Sequence, residues 1–200
     1  MAETQLYGVR FHGEAITTTV TSSGDAVDDW LHEVRAVHRR RLHRLVVGLD
    51  VEWRPTFNAA RSPTALLQLC VGRRCLVLQL LHADYLADAL ADFLAESDHT
   101  FVGVGVDGDA DRLWEDCGME VASTVDLAEL AAEEMGRPDL RRAGLKAIAR
   151  DVMGVDMEKP YWVRTGPWDV CCLSDQQVKY ACIDAFVSFE VGRMLLSAEY

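Results

Sequence analysis

The sequence predicts an α/β protein whose mixed sheet carries helices on both faces. Two β-prone runs, 65–71 and 75–80, are separated only by Gly72-Arg73-Arg74, a spacing typical of an antiparallel pair. The apolar run at residues 45–49 precedes them, and the strands predicted further along the chain alternate with helical segments. A meander followed by helix–strand units predicts a sheet that has both antiparallel and parallel neighbours.

The elements can be assigned in order along the chain. Two β-prone runs, 6–11 and 16–20, surround His12-Gly13-Glu14 and predict an N-terminal hairpin. Ser22 to Asp25 form a turn that starts a helix reaching about residue 43. The remaining predictions are strands 45–53, 65–71, 75–80, 100–105 and 123–125, helices 83–96, 107–117, 127–135 and 145–153, a loop-like stretch 154–173 and a last helix 174–196.

Length and composition indicate one globular domain. The chain has 200 residues, half of them apolar, which is enough for a substantial core in a single domain over residues 1–200. No apolar run approaches the roughly 20 residues of a membrane span. The first residues lack the pattern of a secretory signal. We therefore expect a cytoplasmic protein, with the nucleus as a second candidate compartment, and no membrane partner.

Charge and cysteine usage narrow the class of protein. The net charge of −12 argues against non-specific binding to polyanions. Arg39 to Arg41 form a basic cluster that either complements the end of the preceding helix or contacts nucleic acid. The six cysteines include no C-x-x-C pair, so zinc is not expected, and reduced core thiols are favoured over disulfides.

Two acids stand at the end of the most apolar strand of the first half of the chain. Asp50 and Glu52 follow residues 45–49, and side chains at i and i+2 lie on the same face of a strand. Buried charge is costly without a partner, so this pair predicts a counter-charge nearby. The alternative is a strand end that is exposed to solvent.

Residues 103–111 combine glycines and acids between a predicted strand and a helix. The pattern G-x-G-x-x-G suggests a dinucleotide site, but Asp107, Asp109 and Asp111 would repel a pyrophosphate at the helix N-terminus. A calcium loop requires a bidentate Glu at position twelve, where this sequence has Gly118. We therefore expect the end of the strand to deliver one acid, Asp109, to a site.

Tyr180 and Asp184 complete the pattern on the last helix. Their i, i+4 spacing places them one turn apart on the same face. Taken alone, they could be a core tyrosine and a surface aspartate.

Four carboxylates on three elements would repel one another if the elements converge. Two carboxylates about 4 Å apart repel by roughly 4 kcal/mol at an effective dielectric of about 20. We therefore expect divalent cations, rather than a Lys or Arg, as the counter-charge. Oxygen ligands favour Mg²⁺ or Mn²⁺, and two such ions suit phosphodiester hydrolysis.

These residues resemble the motifs of the DEDD superfamily of 3′–5′ exonucleases, in its tyrosine-bearing (DEDDy) branch. Asp50-x-Glu52, residues 103–109 and Tyr180-x-x-x-Asp184 match its three motifs, and the resemblance covers residues 44–196. The other branch of the superfamily has a histidine five residues before the last aspartate. This position is Lys179 here, so the tyrosine form is the match. The resemblance implies an RNase H-like fold, with a five-stranded mixed sheet flanked by helices and the N-terminal hairpin as an addition.

Within this branch the chain is similar to the Werner exonuclease domain, to RNase D and to short plant proteins that include the RISC-interacting clearing exoribonucleases. Asp50-Val51-Glu52-Trp53 and the segment 173–181 carry this similarity. The chain departs from the family at Gly166-Pro167-Trp168, where Ser-Asn-Trp is usual, and at Phe186, where Tyr is usual. These departures concern substrate binding rather than the metal site.

The resemblance implies a two-metal exonuclease that releases nucleoside monophosphates from single-stranded 3′ ends, with RNA favoured over DNA. Asp50, Glu52, Asp109 and Asp184 would hold two ions, Mg²⁺ or Mn²⁺, and Tyr180 would orient the attacking water. The resemblance also implies a homo-oligomer, with a ring as one form, and an Argonaute or another RNA-silencing partner.

Three further residues are candidates for substrate binding. Trp53, Lys159 and Trp168 could stack on bases or contact phosphate. Their alternatives are core packing for the tryptophans and a solvated lysine. Two rival functions remain open at this point, a catalytically weak binding scaffold on the same fold and a nucleotide-binding oxidoreductase.

Overall fold

The computed structural model describes residues 3–55 and 61–196, and within them the chain forms seven strands and seven α-helices. The strands are β1 (Thr4–Phe11), β2 (Glu14–Thr21), β3 (Leu45–Trp53), β4 (Thr64–Val71), β5 (Arg74–Gln79), β6 (His99–Gly103) and β7 (Thr124–Asp126). The helices are α1 (Gly24–Val37), α2 (Asp88–Leu94), α3 (Val106–Cys117), α4 (Leu127–Glu134), α5 (Leu145–Met153), α6 (Tyr161–Arg164) and α7 (Asp175–Leu195).

The strands form one mixed sheet in the order β1-β2-β5-β4-β3-β6-β7. The meander β3-β4-β5 is antiparallel, and β6 and β7 continue the sheet in parallel beyond β3. The N-terminal hairpin joins the same sheet, because β2 pairs in parallel with β5. The predicted mixed sheet flanked by helices is confirmed, with the five core strands extended to seven by the hairpin.

Helix α7 packs across the centre of the sheet, directly over β3. A Cβ atom added to Gly48 would lie 2.1 Å from the backbone oxygen of Ala185 and 2.6 Å from the backbone nitrogen of Phe189. Only glycine permits so close an approach between strand and helix. This contact fixes the position of α7 relative to the strand that carries the first two acids.

The start of α7 is fixed by a capping box between Ser174 and Gln177. The hydroxyl oxygen of Ser174 accepts a hydrogen bond from the backbone N–H of Gln177 at 3.3 Å. The side-chain oxygen of Gln177 accepts one in return from the backbone N–H of Ser174 at 3.1 Å. Two free N–H groups of the first turn are thereby satisfied, as the sequence pattern predicts.

Two helices are shorter than predicted. Helix α1 ends at Val37 rather than near residue 43, and α2 begins at Asp88 rather than at residue 83. The backbone before α2 is held in another conformation, because the Asp84 carboxylate accepts from the backbone N–H of Gly24 at 2.9 Å. Tyr85 is 45% exposed and donates its hydroxyl hydrogen to Asp25 at 2.6 Å.

The structure also bears on the expectations of reduced cysteines and of no membrane-spanning segment. All six cysteines are free, and Cys70, Cys75 and Cys182 are buried in the core. None of the helices in the described residues is both long and apolar enough to span a membrane.

Candidate active site

Three carboxylates converge where β3 meets α7. Asp50, Glu52 and Asp184 each place a carboxylate oxygen within 4.8 Å of the others. Asp184 is buried, and the two acids of β3 are partly buried. The close contact at Gly48 brings the helix onto the strand, so residues far apart in sequence share one cleft.

Asp109 lines the same cleft from the first turn of α3. Strand β6 lies parallel to β3, and Gly105, at φ +74°, makes the left-handed turn that leads into the helix. Asp107 instead accepts a hydrogen bond from Thr124, and Asp111 is exposed. Of the three acids in this motif, the structure thus brings only Asp109 to the cleft, as the sequence predicts. A carboxylate at this position would also repel the pyrophosphate of a dinucleotide.

Burial and mutual repulsion raise the pKa values of these carboxyl groups. Burial, followed by the charge of Asp184, raises the pKa of Asp50 to about 7. Burial and the nearby Asp50 raise the pKa of Glu52 to about 10 and that of Asp109 to about 8. Burial also raises the pKa of Asp184, although Lys159 opposes the shift. The cluster therefore has a strong preference for added positive charge.

Lys159 supplies one positive charge to the cluster. Its Nζ lies 2.6 Å from Oδ2 of Asp184, and the same nitrogen is 5.2 Å from the centroid of the Tyr180 ring. Asp184 therefore has a lysine partner in addition to the divalent cations that the sequence predicts for the cluster. A single ammonium group does not balance four carboxylates, and the raised pKa values of Glu52 and Asp109 mean that protons relieve part of the remaining repulsion until a cation binds.

The donor set fits a divalent cation. All ligand atoms that the cluster offers are carboxylate oxygens, which suit hard cations such as Mg²⁺ and Mn²⁺. Asp50, Glu52 and Asp184 would hold such an ion, and Asp109 lies in the same cleft. These residues therefore form a candidate divalent-metal site.

Tyr180 lies one helical turn before Asp184 and also lines the cleft. Burial, followed by the charge of Asp184, raises the pKa of its hydroxyl above the usual range, so the group stays protonated. Its ring packs against Trp168 with a centroid distance of 5.7 Å. A protonated hydroxyl held in this way can donate a hydrogen bond into the cleft.

The three candidates for substrate binding differ in position. Lys159 and Trp53 line the cleft, and the guanidinium carbon of Arg112 lies 3.7 Å from the centroid of the Trp53 ring. Trp168 is fully buried, and its indole N–H donates to the backbone oxygen of Arg164 at 3.1 Å. Base stacking by Trp168 is therefore excluded in this conformation, and the core-packing alternative is correct.

Sequence reasoning missed two polar residues that line the cleft and one cation that lies beside it, over the Trp53 ring. Arg164 and Thr165 reach the cleft from the end of α6, in a stretch that the sequence describes only as loop-like. Arg112 follows Asp109 by three residues on α3, a spacing that could have placed the two on one helix face. The two cleft residues at the end of α6 carry no comparable signal, because their position depends on contacts with distant elements.

Comparison with known proteins places this geometry in a family. Residues 18–197 match the model of a family described as 3′–5′ exonuclease. An Arabidopsis thaliana protein named 3′-5′ exonuclease is 30% identical over 190 residues, which cover 94% of this chain and 65% of that protein. The chain thus spans slightly less than two-thirds of that relative's length.

Two solved structures share the fold. The EXD2 exonuclease domain, in a crystal soaked in Mn, is 28% identical with a TM-score of 0.52, and the match covers 90% of this chain and 89% of that one. RNase D from Escherichia coli is 21% identical with a TM-score of 0.75, covers 89% of this chain and 44% of that one, and supports the fold alone. The predicted resemblance to DEDDy-type exonucleases is confirmed, and this chain belongs to the 3′–5′ exonuclease family.

Proposed function

We propose that this protein is a metal-dependent 3′–5′ exonuclease that removes nucleoside monophosphates from single-stranded ends, preferring RNA to DNA. The observation that carries the proposal is the convergence of Asp50, Glu52 and Asp184, with Asp109 in the same cleft. Membership of the 3′–5′ exonuclease family supports the reaction and its direction.

The four carboxylates would hold two ions, Mg²⁺ or Mn²⁺. When bound, such ions supply an activated water and stabilise the leaving oxygen of the cleaved phosphodiester. Tyr180 would orient the water, because its protonated hydroxyl can donate or accept a hydrogen bond at the edge of the acid cluster. Lys159, which contacts Asp184, would bind a phosphate oxygen of the terminal nucleotide.

The shape of the cleft favours a single strand. Its volume of about 450 Å³ suits one terminal nucleotide, and its walls include Trp53, Pro55 and Val104 beside the acids. In this proposal, a duplex end opens before its 3′ nucleotide binds beside the carboxylates. The preference for RNA is supported by the resemblance to short plant exoribonucleases.

An acidic chain is expected to bind nucleic acid weakly, and association with further copies of itself or with a partner protein would strengthen this binding. The net charge of −12 opposes association with a polyanion, so we further propose a homo-oligomer, with a ring as one form, and a silencing partner such as Argonaute. Cytoplasmic and nuclear locations both fit such a role. Light scattering tests the assembly, and a strict monomer would argue against the ring.

The activity can be tested with matched oligonucleotides. RNA and DNA strands of one sequence, single- and double-stranded and labelled at the 5′ end, are incubated with Mg²⁺ or Mn²⁺ and with a chelator. We expect a ladder shortening from the 3′ end that requires the metal and is fastest on single-stranded RNA. Asp50→Ala and Asp184→Ala should abolish it, and native rates in either variant would refute the assignment. Binding without cleavage by the wild type would instead favour the scaffold alternative.

A further inference from the structure

Two adjacent aromatic side chains are exposed on the short helix α6. Tyr161 is 69% exposed and Trp162 is 68% exposed, whereas their neighbour Val163 is buried. Large aromatic side chains normally gain free energy from burial, so a contiguous exposed pair indicates a surface that meets a ligand.

The pair lies next to the catalytic cleft. Lys159, two residues before the helix, contacts Asp184, and Arg164 at the end of the helix lines the cleft. The guanidinium carbon of Arg164 lies 5.6 Å from the centroid of the Tyr161 ring. Arg164 therefore connects the interior of the cleft with the exposed aromatic surface outside it.

The helix is anchored firmly enough to serve as a platform. The Thr165 hydroxyl donates to the backbone oxygen of Tyr161 at 2.9 Å, and the buried indole of Trp168 donates to that of Arg164 at 3.1 Å. Val163 packs into a hydrophobic cluster that includes Trp168 and Val178. The exposed rings thus project from a backbone that is fixed on both sides.

The chemistry of this surface matches a single strand that leaves the cleft. Bases of unpaired nucleic acid stack on aromatic rings and on Arg guanidinium planes, largely independently of sequence. Arg164 forms no ion pair with any residue of 3–55 or 61–196, so its charge is available to a phosphate. Such a cation is favourable for a polyanion in a chain with a net charge of −12.

We propose that Tyr161, Trp162 and Arg164 form the upstream substrate surface, on which the bases preceding the 3′-terminal nucleotide stack. This inference rests on the proposed exonuclease function and assigns the stacking role to α6. The strand would pass from the carboxylates along Arg164 onto Tyr161 and then onto Trp162. The enzyme would thereby gain affinity for single strands longer than a dinucleotide.

The test compares three substrates: a single-stranded oligonucleotide, the same strand with abasic sites at the second and third positions from its 3′ end, and a dinucleotide. Tyr161→Ala, Trp162→Ala and Arg164→Gln are compared with the wild type. Trp114→Ala is the matched control, because Trp114 is 62% exposed and lies on α3. Circular dichroism establishes that each variant is folded.

We expect KM for the complete strand to rise roughly tenfold in each variant of α6, with a smaller change in kcat, since a lost base–aromatic contact removes binding. On the abasic strand, the Tyr161 and Trp162 variants should both match the wild type. On the dinucleotide, which has no base to reach Trp162, the Trp162 variant should match it. The Trp114 control should match it on all three substrates.

Equal KM values for wild type and the aromatic variants on the complete strand would overturn the inference. An equal loss on the complete and abasic strands would also overturn it, because stacking requires the base. If Tyr161→Ala changes the molecular mass by light scattering without changing KM, the surface is a contact between copies of the chain and the inference fails. If the wild type cleaves none of the substrates, the proposed function itself fails.

Discussion

Gly48 and Ala185 are in closer backbone contact than any side chain at residue 48 would allow. A Cβ at this glycine would lie 2.1 Å from the carbonyl oxygen of Ala185, one residue after the metal-site candidate Asp184. The contact joins β3 to α7, and these two elements carry three of the four clustered acids. Packing at one glycine therefore sets the geometry of the site.

Gly48→Ala should destabilise the fold and displace Asp184. Overpacking of a tightly packed core costs typically 1–3 kcal/mol, and more where backbone atoms must move. Urea denaturation measures the free energy of unfolding, and an exonuclease assay measures the loss of activity that displacement of Asp184 would cause. Gly8→Ala is the matched control in β1, because a Cβ there meets nothing within 4 Å. Equal stability of the two variants would show that α7 tolerates the shift.

Asp50→Asn should stabilise the protein when a chelator is present. The substitution removes one of several carboxylates that repel one another. Two ionised carboxylates about 4 Å apart repel by roughly 4 kcal/mol at an effective dielectric of about 20, and protonation of the cluster reduces this value. Wild type should gain thermal stability on addition of Mn²⁺, and the variant should gain much less. Asp111→Asn, at an exposed position of α3, serves as control. A variant less stable than wild type in chelator would contradict the repulsion.

Lys159→Met should lower stability in the absence of divalent cations. It leaves the buried Asp184 without its ion-pair partner at 2.6 Å, and loss of one partner of a buried pair costs up to about 3–5 kcal/mol. Saturating Mn²⁺ should recover most of this loss, since the cation replaces the ammonium charge. Lys146→Met, on the exposed face of α5, should behave as wild type in both conditions. A loss that Mn²⁺ leaves unchanged would point to packing by the lysine stem.

Tyr180→Phe should reduce turnover while leaving metal binding largely intact. The hydroxyl is removed, but the ring that packs against Trp168 is kept, so the fold should not change. We expect kcat to fall by about 10²–10⁴, the range typical of a lost group that positions a proton or a water. Mn²⁺ binding, measured by calorimetry, should match the wild type. An unchanged kcat would remove the role assigned to Tyr180.

Trp168→Ala should behave as a core substitution. Trp168 is fully buried, so its removal should cost about 3–5 kcal/mol of stability. Trp114→Ala removes a tryptophan that is 62% exposed and should cost far less. The comparison is made by thermal or urea denaturation. Similar losses in the two variants would contradict the buried position of Trp168.

Local sequence patterns were sufficient to predict the mixed sheet with its helices and the positions of the acidic residues on them. The i, i+2 spacing of Asp50 and Glu52 and the i, i+4 spacing of Tyr180 and Asp184 follow from strand and helix periodicity, so the structure places each pair as predicted. The capping box from Ser174 to Gln177 likewise spans only four residues of sequence. Such features could be predicted because every participating residue is close along the chain.

Contacts between residues far apart in sequence decided the features that local sequence patterns could not predict. The backbone before α2 is not helical, because Asp84 binds the start of α1 sixty residues earlier in the chain. Lys159 meets Asp184, and Trp168 rather than Trp162 fills the core, because separate elements close over the loop-like stretch. The sequence by itself determined which side chains could form the metal site. Only the packing of α6 and α7 on the sheet decided which cation faces the acids and which aromatic side chains remain exposed, since those contacts depend on where distant elements meet.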